Sequence, residues 1–236
     1  MIVNPAQVRA FAHALGQRAK TDRIDATVIA QFAAATNPPV RARADAESQA
    51  LADLVTRRRQ IVGLIASERQ RASQTPSCIR NSIRRVIEAL EKEQSVIDRS
   101  IDAEVDQSLE WRRKETLLTS VFGVGPTIAR TLIAELPELG SLNGKQVAAL
   151  VGLAPWTQQS GQWRGRSFIA GGRALVRTAL FMGAMVASRR NAALKTFRDR
   201  LIAAGKPKLV ALIATARKLI TILNAILRDG TPWHPA

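Results

Sequence analysis

A serine, a pair of aspartates and a scattered set of arginines carry the chemistry this chain can offer. Ser160 sits beside Gly161 in the stretch Gly152–Arg166, which also holds Gly165, Trp156, Trp163, Arg164 and Arg166. Glycine permits backbone conformations closed to other residues and lets a chain approach a ligand closely. An arginine fork suits phosphate oxygens, and an indole offers a flat face to a base. A hydroxyl set among such groups is a candidate nucleophile toward phosphate. The plainer reading is a surface hairpin between helices, because Gly-rich basic loops are common. Asp22 and Asp25 are three residues apart, so on a helix both carboxylates leave one face, as a shared divalent cation requires. The same pair also suits a first helical turn through the macrodipole alone.

A third constellation is Gly123-Val124-Gly125-Pro126-Thr127, between two apolar helical segments. This is the pattern of a helix–hairpin–helix. The glycines allow a tight turn, and free amides at the start of the second helix can hold a DNA phosphate without reading its sequence. An ordinary turn between two helices carries the same signature. Arg173 and Arg177, one helical turn apart after Gly171-Gly172, complete the basic set expected to contact nucleic acid.

Composition narrows the partner. Lys and Arg number 35 against 19 Asp and Glu in 236 residues, a formal charge of +16. Phosphate neutralisation supplies most non-specific nucleic-acid affinity, so this balance points to DNA or RNA. The chain has no tyrosine, which excludes strand breakage through a tyrosine nucleophile. Two histidines and one cysteine, Cys78, leave no Cys/His zinc site and make a Ser-His-Asp triad improbable. Serine, carboxylates and a divalent metal remain. No uninterrupted apolar run of about 18 residues stands out, which argues against a membrane span, and the start lacks the basic and apolar regions of a signal peptide. The expected location is the cytoplasm, at the chromosome.

The elements that must position these residues are mainly α-helical. Met1-Ile2-Val3 reads as the end of a strand, and Pro5 suits the first position of a helix to Leu15. Thr21 or Asp22 caps a second helix. A long helical hairpin follows, its first arm from about Asp45 to Gln74 with Leu51, Leu54, Ile61 and Ile65 on one seam. Thr75-Pro76-Ser77 turns the chain. The second arm carries Ile83, Ile87, Leu90, Ile97, Ile101, Val105 and Leu109 at three- and four-residue steps, a coiled-coil signature. The arginines of both arms, Arg57, Arg58, Arg59, Arg69, Arg71, Arg80, Arg84 and Arg85, lie largely off the seam and read as a solvated face, or secondarily as a nucleic-acid or dimer contact. A short helix over Asn143–Leu150 precedes the central loop, which is expected to be irregular. Ser167-Phe168-Ile169 reads as extended, and helices follow to about Ser188, near Asn191–Ala203 and over Pro207–Leu227.

Three segments, in order, resemble the transposases of the insertion-sequence-110 family. They are Val3-Asn4-Pro5 with Lys20-Thr21-Asp22-Arg23-Ile24-Asp25-Ala26, then Gly123-Val124-Gly125-Pro126, then Gly152-Leu153-Ala154-Pro155 with Gln159-Ser160-Gly161. The resemblance implies a resolvase-like N-terminal part of RNase H fold, whose DEDD carboxylates bind Mg²⁺, with Asp22 and Asp25 as the last two of the four. It implies a C-terminal transposase domain in which Ser160 attacks DNA phosphate and is held as a phosphoserine link. It further implies double-stranded DNA as substrate, a structured guide RNA, and a homo-oligomer joined partly through the helical hairpin. Arg164, Arg166 and Arg173 would offset charge in the transition state.

The expected division is a resolvase-like fragment over 1–36, the helical hairpin over 40–113 and the transposase domain over 114–236. The first Asp and the Glu of the set would lie on strands preceding Val3, so a 5′-truncated polypeptide, inactive alone and holding Mg²⁺ weakly, is expected. The alternative is a non-catalytic protein that binds DNA or RNA and self-associates. A ribosomal-type RNA-binding protein explains the charge but neither the aspartate pair nor the central loop.

Overall fold

A computed structural model describes residues 3, 5–38, 45–157 and 159–234 of the chain. The described residues are mainly helical and divide into two compact units, Met1–Asp45 and Ala46–Ala236.

In the first unit, α1 (Pro5–Ala14) and α2 (Asp22–Thr36) pack through Phe11 and Phe32, whose rings meet edge to face at 5.6 Å. Pro5 opens α1, where its missing N–H costs nothing. Thr21 caps α2, its hydroxyl accepting from the Ile24 amide at 3.3 Å. The strand expected at Met1–Val3 rests on Met1 and Ile2, outside the described residues; Val3 carries no strand pairing.

The second unit opens with the helical hairpin, α3 (Ala46–Gln74) and α4 (Ser77–Gln107). Leu51, Ile61, Ile65, Ile83, Ile101 and Val105 are buried along its seam, joined by Val55. The arms run antiparallel: Arg58 meets Asp98 at 2.5 Å and Arg69 meets Glu91 at 2.6 Å. Of these arginines, Arg58 is drawn in against the partner arm, whereas Arg69 pairs while staying on the solvated face, 24% against 65% exposed.

Leu109 leaves the seam and is exposed, contrary to expectation. The reason is local. Ser108 ends α4 in an extended conformation, and its hydroxyl caps α5 (Leu109–Thr119) by accepting from the Trp111 amide at 3.3 Å. Helix α6 (Pro126–Glu135) follows a short turn, and Arg130 on it bonds Asp102 of α4 at 2.6 Å and Glu115 of α5 at 2.8 Å.

The main core gathers α5, α6, α7 (Gly144–Leu150), α8 (Ala174–Arg190), α9 (Ala192–Ala203) and α10 (Lys208–Asp229). By length and hydropathy α10 could cross a membrane, although Arg217 and Lys218 interrupt its apolar run. Here it is the central core helix, with Leu219, Ile220 and Leu223 fully buried. Its buried Asn224 accepts from the Gly140 amide at 2.9 Å and donates to the Leu142 carbonyl at 2.7 Å, fixing the loop before α7. Small residues on α8 serve close packing as expected: Gly183, Ala184 and Ala187 are buried.

Candidate functional site

Between α7 and α8 the stretch expected to be irregular is paired. Strand β1 (Pro155–Trp156) runs antiparallel to β4 (Phe168–Ile169), and β2 (Gln159–Ser160) to β3 (Trp163–Arg164). Two residues separate the ladders on the outgoing arm and three on the return, so the register slips by one between them. Thr157 and Ser167 bridge that gap, their hydroxyls 3.3 Å apart. At the tip, Ser160 lies opposite Trp163 across the two-residue turn Gly161-Gln162. Gly161 alone of these two has positive φ, +55°, the sign a type II′ turn requires at its first central position. Ser160, Trp156 and Arg166 are exposed. The plainer reading, a surface hairpin, and the chemical reading, an accessible hydroxyl, thus describe the same object.

The base of the hairpin is built differently. Gly152 and Gly172, with φ of +73° and +66°, lie backbone against backbone. Arg173 caps α8 without a side-chain cap; instead its guanidinium grips Glu138 through two nitrogens at 2.5 and 2.7 Å and donates to the Glu135 carbonyl at 2.9 Å. Arg177 donates to the Gly171 carbonyl at 2.5 Å and, more loosely, to that of Val151 at 3.4 Å. Both arginines were expected to face nucleic acid, yet their hydrogen bonds run into the protein. Glu138 was missed because it stands 35 residues from Arg173, with no local pattern linking them.

The Gly123–Thr127 turn rests on α8. Gly123 has φ of +101°, and a Cβ there would lie 2.7 Å from the Ala187 nitrogen and 2.8 Å from the Gly183 carbonyl oxygen. Gly125 instead caps α6 with φ of −89° and has open space around it. Among the described residues nothing accepts from the amides of Gly125 or Thr127, and both residues are exposed. An exposed helix start with idle donors favours an anion.

In the first unit, Asp22 and Asp25 occupy the first turn of α2, exposed and half-buried, and neither carboxylate is engaged by a described group. Two free carboxylate oxygens on one helix face fit a hard cation such as Mg²⁺, which is commonly held by one or two carboxylates plus water and substrate phosphate. No group of three or more His, Cys, Asp or Glu gathers among the described residues.

Comparison with known proteins connects these parts. The profile of the Transposase IS116/IS110/IS902 family matches residues 115–199, and a DEDD-type IS110 transposase profile matches residues 1–75. The chain is 30% identical over 240 residues to the pilin gene-inverting protein of Moraxella bovis, covering 98% of this chain and 73% of that protein. The pilin gene-inverting protein of Moraxella lacunata gives the same figures. An uncharacterized 43.6 kDa protein of insertion element IS110 from Streptomyces coelicolor is 34% identical over 135 residues, 56% of this chain and 33% of that one. The Ser160 hairpin lies within the first profile's match and Asp22 and Asp25 within the second's, and the chain belongs to the IS110 family of insertion-sequence transposases.

Proposed function

We propose that the protein is a DNA recombinase of an insertion sequence that cuts and transfers strands through Ser160. The observation that carries this reading is the placement of Ser160 at the exposed tip of a paired hairpin anchored in the core. The Ser160 Oγ attacks a DNA phosphorus; the bond from phosphorus to the departing deoxyribose oxygen breaks, and the hydroxyl proton passes to solvent or to that oxygen. One phosphate ester replaces another, so a second strand's hydroxyl can reverse the step and reseal DNA without an energy source. Nucleophilic catalysis of this kind splits one difficult transfer into two easier ones. The Moraxella proteins are named for inverting a pilin gene, and inversion of a DNA segment likewise needs strands cut and rejoined.

Asp22 and Asp25 would hold Mg²⁺, as part of a DEDD set in a domain of RNase H type. When bound, the ion supplies a Lewis acid for a phosphoryl oxygen. Arg166 offers charge on the return arm of the Ser160 hairpin, and the helix–hairpin–helix turn of Gly123, Gly125 and Thr127 a phosphate grip. Trp163 and Arg164, whose side chains lie outside the described structure, are assigned to the same nucleic-acid contact from their residue types alone. Double-stranded DNA, a structured guide RNA and a second copy of the chain through a coiled-coil hairpin are the partners this reading assigns. The charge of +16 supports the first two. The test is an SDS-resistant protein–DNA adduct, formed with Mg²⁺ on duplex spanning the element's end and mapped by peptide mass spectrometry. Mapping to Ser160 supports the proposal; mapping elsewhere refutes it.

A second reading, a non-catalytic nucleic-acid-binding and self-associating protein, has one observation on its side. Among the described residues no third metal-ligating side chain joins Asp22 and Asp25. It predicts duplex binding with no adduct under any divalent metal.

A further inference from the structure

We propose that Arg173 and Arg177, together with Glu138, are positioning residues that set the direction of the Ser160 hairpin, rather than contacts to phosphate. This rests on the reading of Ser160 as the nucleophile.

The hairpin leaves the core at Gly152 and returns at Gly172, so its aim is decided where the arms cross. Arg177 bonds carbonyls of both arms, Val151 on the outgoing side and Gly171 on the return. Arg173 ties that crossing to its surroundings in two directions. Its backbone amide donates to Leu150 in the last turn of α7 at 3.0 Å, and its guanidinium holds Glu138 and the Glu135 carbonyl at the end of α6. Three helices therefore meet on one residue at the hairpin's root.

The lever arm makes this placement matter. The eight residue steps from Gly152 to Ser160, which include β1 and β2, reach at most about 26 Å at roughly 3.3 Å per residue. A swing of about 10° at the root then moves the hydroxyl by up to about 4 Å, whereas a misplacement of about 1 Å can cost a hundredfold in rate. A two-point fork onto a carboxylate resists such rotation, since it fixes orientation as well as distance. The same fork neutralises Arg173: its charge is matched by Glu138, and both side chains are about three-quarters buried, 28% and 24% exposed. Arg166 has no such partner among the described residues and stands exposed on the return arm. The two kinds of arginine have different work. Arg166 faces solvent and suits phosphate, and Arg173 and Arg177 face the frame.

The test uses the full chain with Arg173→Lys, Arg177→Lys and Glu138→Gln, each conservative enough to keep the fold, and reads two quantities without turnover. Hydrogen exchange of amides in residues 155–169 is expected to accelerate by about tenfold or more, with the thermal midpoint and the exchange of α10 little changed. Affinity for a short fluorescein-labelled duplex is expected to stay within about twofold, with an unchanged salt slope. Where adduct formation is measurable, its rate should fall by about 10- to 100-fold at equal DNA affinity. Unchanged exchange with about tenfold weaker, less salt-dependent binding would overturn the proposal in favour of phosphate contact, and no change in either quantity would overturn it as well. Ser160→Ala run in parallel separates the two claims. An adduct surviving Ser160→Ala defeats the nucleophile reading, while the exchange data still judge the anchor.

Discussion

Gly172 and Gly152 touch through their backbones: a Cβ on Gly172 would lie 2.6 Å from the Gly152 Cα. Both have positive φ, so a side chain at either is opposed by conformation and by space. Gly172→Ala and Gly152→Ala should each destabilise the protein by more than about 2 kcal/mol, from left-handed strain plus overlap. Gly161→Ala, with the same sign of φ but nothing within 4 Å, should cost only about 1 kcal/mol. Urea denaturation of the three variants checks the ranking, which reverses if the crossing is loosely packed.

The two glycines of the α5–α6 turn should separate cleanly. Gly123→Ala meets Ala187 and Gly183 and is expected to lower stability by about 2–3 kcal/mol. Gly125→Ala meets nothing and should lose well under about 1 kcal/mol as a poorer cap. Thermal unfolding compared at equal ionic strength measures both. The Gly125 variant is then the clean one for DNA binding, since its fold survives.

Arg130 joins α4, α5 and α6 through Asp102 and Glu115. Arg130→Met keeps much of the stem but leaves Glu115, 19% exposed, without its cation. The expected loss is about 1–2 kcal/mol, most of it from Glu115, because the half-exposed Asp102 is largely relieved by water. A double-mutant cycle with Glu115→Gln should therefore show the larger coupling and one with Asp102→Asn the smaller.

Ile79 and Val86, seven residues apart on α4, are 50% and 44% exposed, an apolar pair at heptad spacing. If the hairpin joins two copies, Ile79→Asp with Val86→Asp should shift the species seen by light scattering from dimer toward monomer while helical circular dichroism is kept. An unchanged mass would place self-association elsewhere.

Much of this architecture is written locally. Pro76 and the seam from Leu51 to Val105 define a hairpin because periodic apolar spacing is a property of neighbouring residues. Gly205, Pro207 and Asn143 mark helix ends for the same reason, as stop, start and cap. Ser108 was illegible as a break, because Leu109 continues the spacing and only the capping bond to Trp111 reveals the turn. The pairing of β1 with β4 was hidden in two-residue strands too short to alternate visibly. The Arg173–Glu138 pair was illegible because charge is visible in a sequence and a partner 35 residues away is not.

A nucleophilic Ser160 would carry the covalent bond to DNA, and Ser160→Ala removes the hydroxyl that forms it. Wild type and variant are incubated with Mg²⁺, the element's transcript and duplex spanning the element's end, then denatured and resolved for covalent protein–DNA adduct. The expected result is adduct from the wild type, none from Ser160→Ala, and duplex affinity equal within about twofold, since the substitution removes one uncharged hydroxyl. Adduct of equal yield from Ser160→Ala would show that another residue carries the bond to DNA.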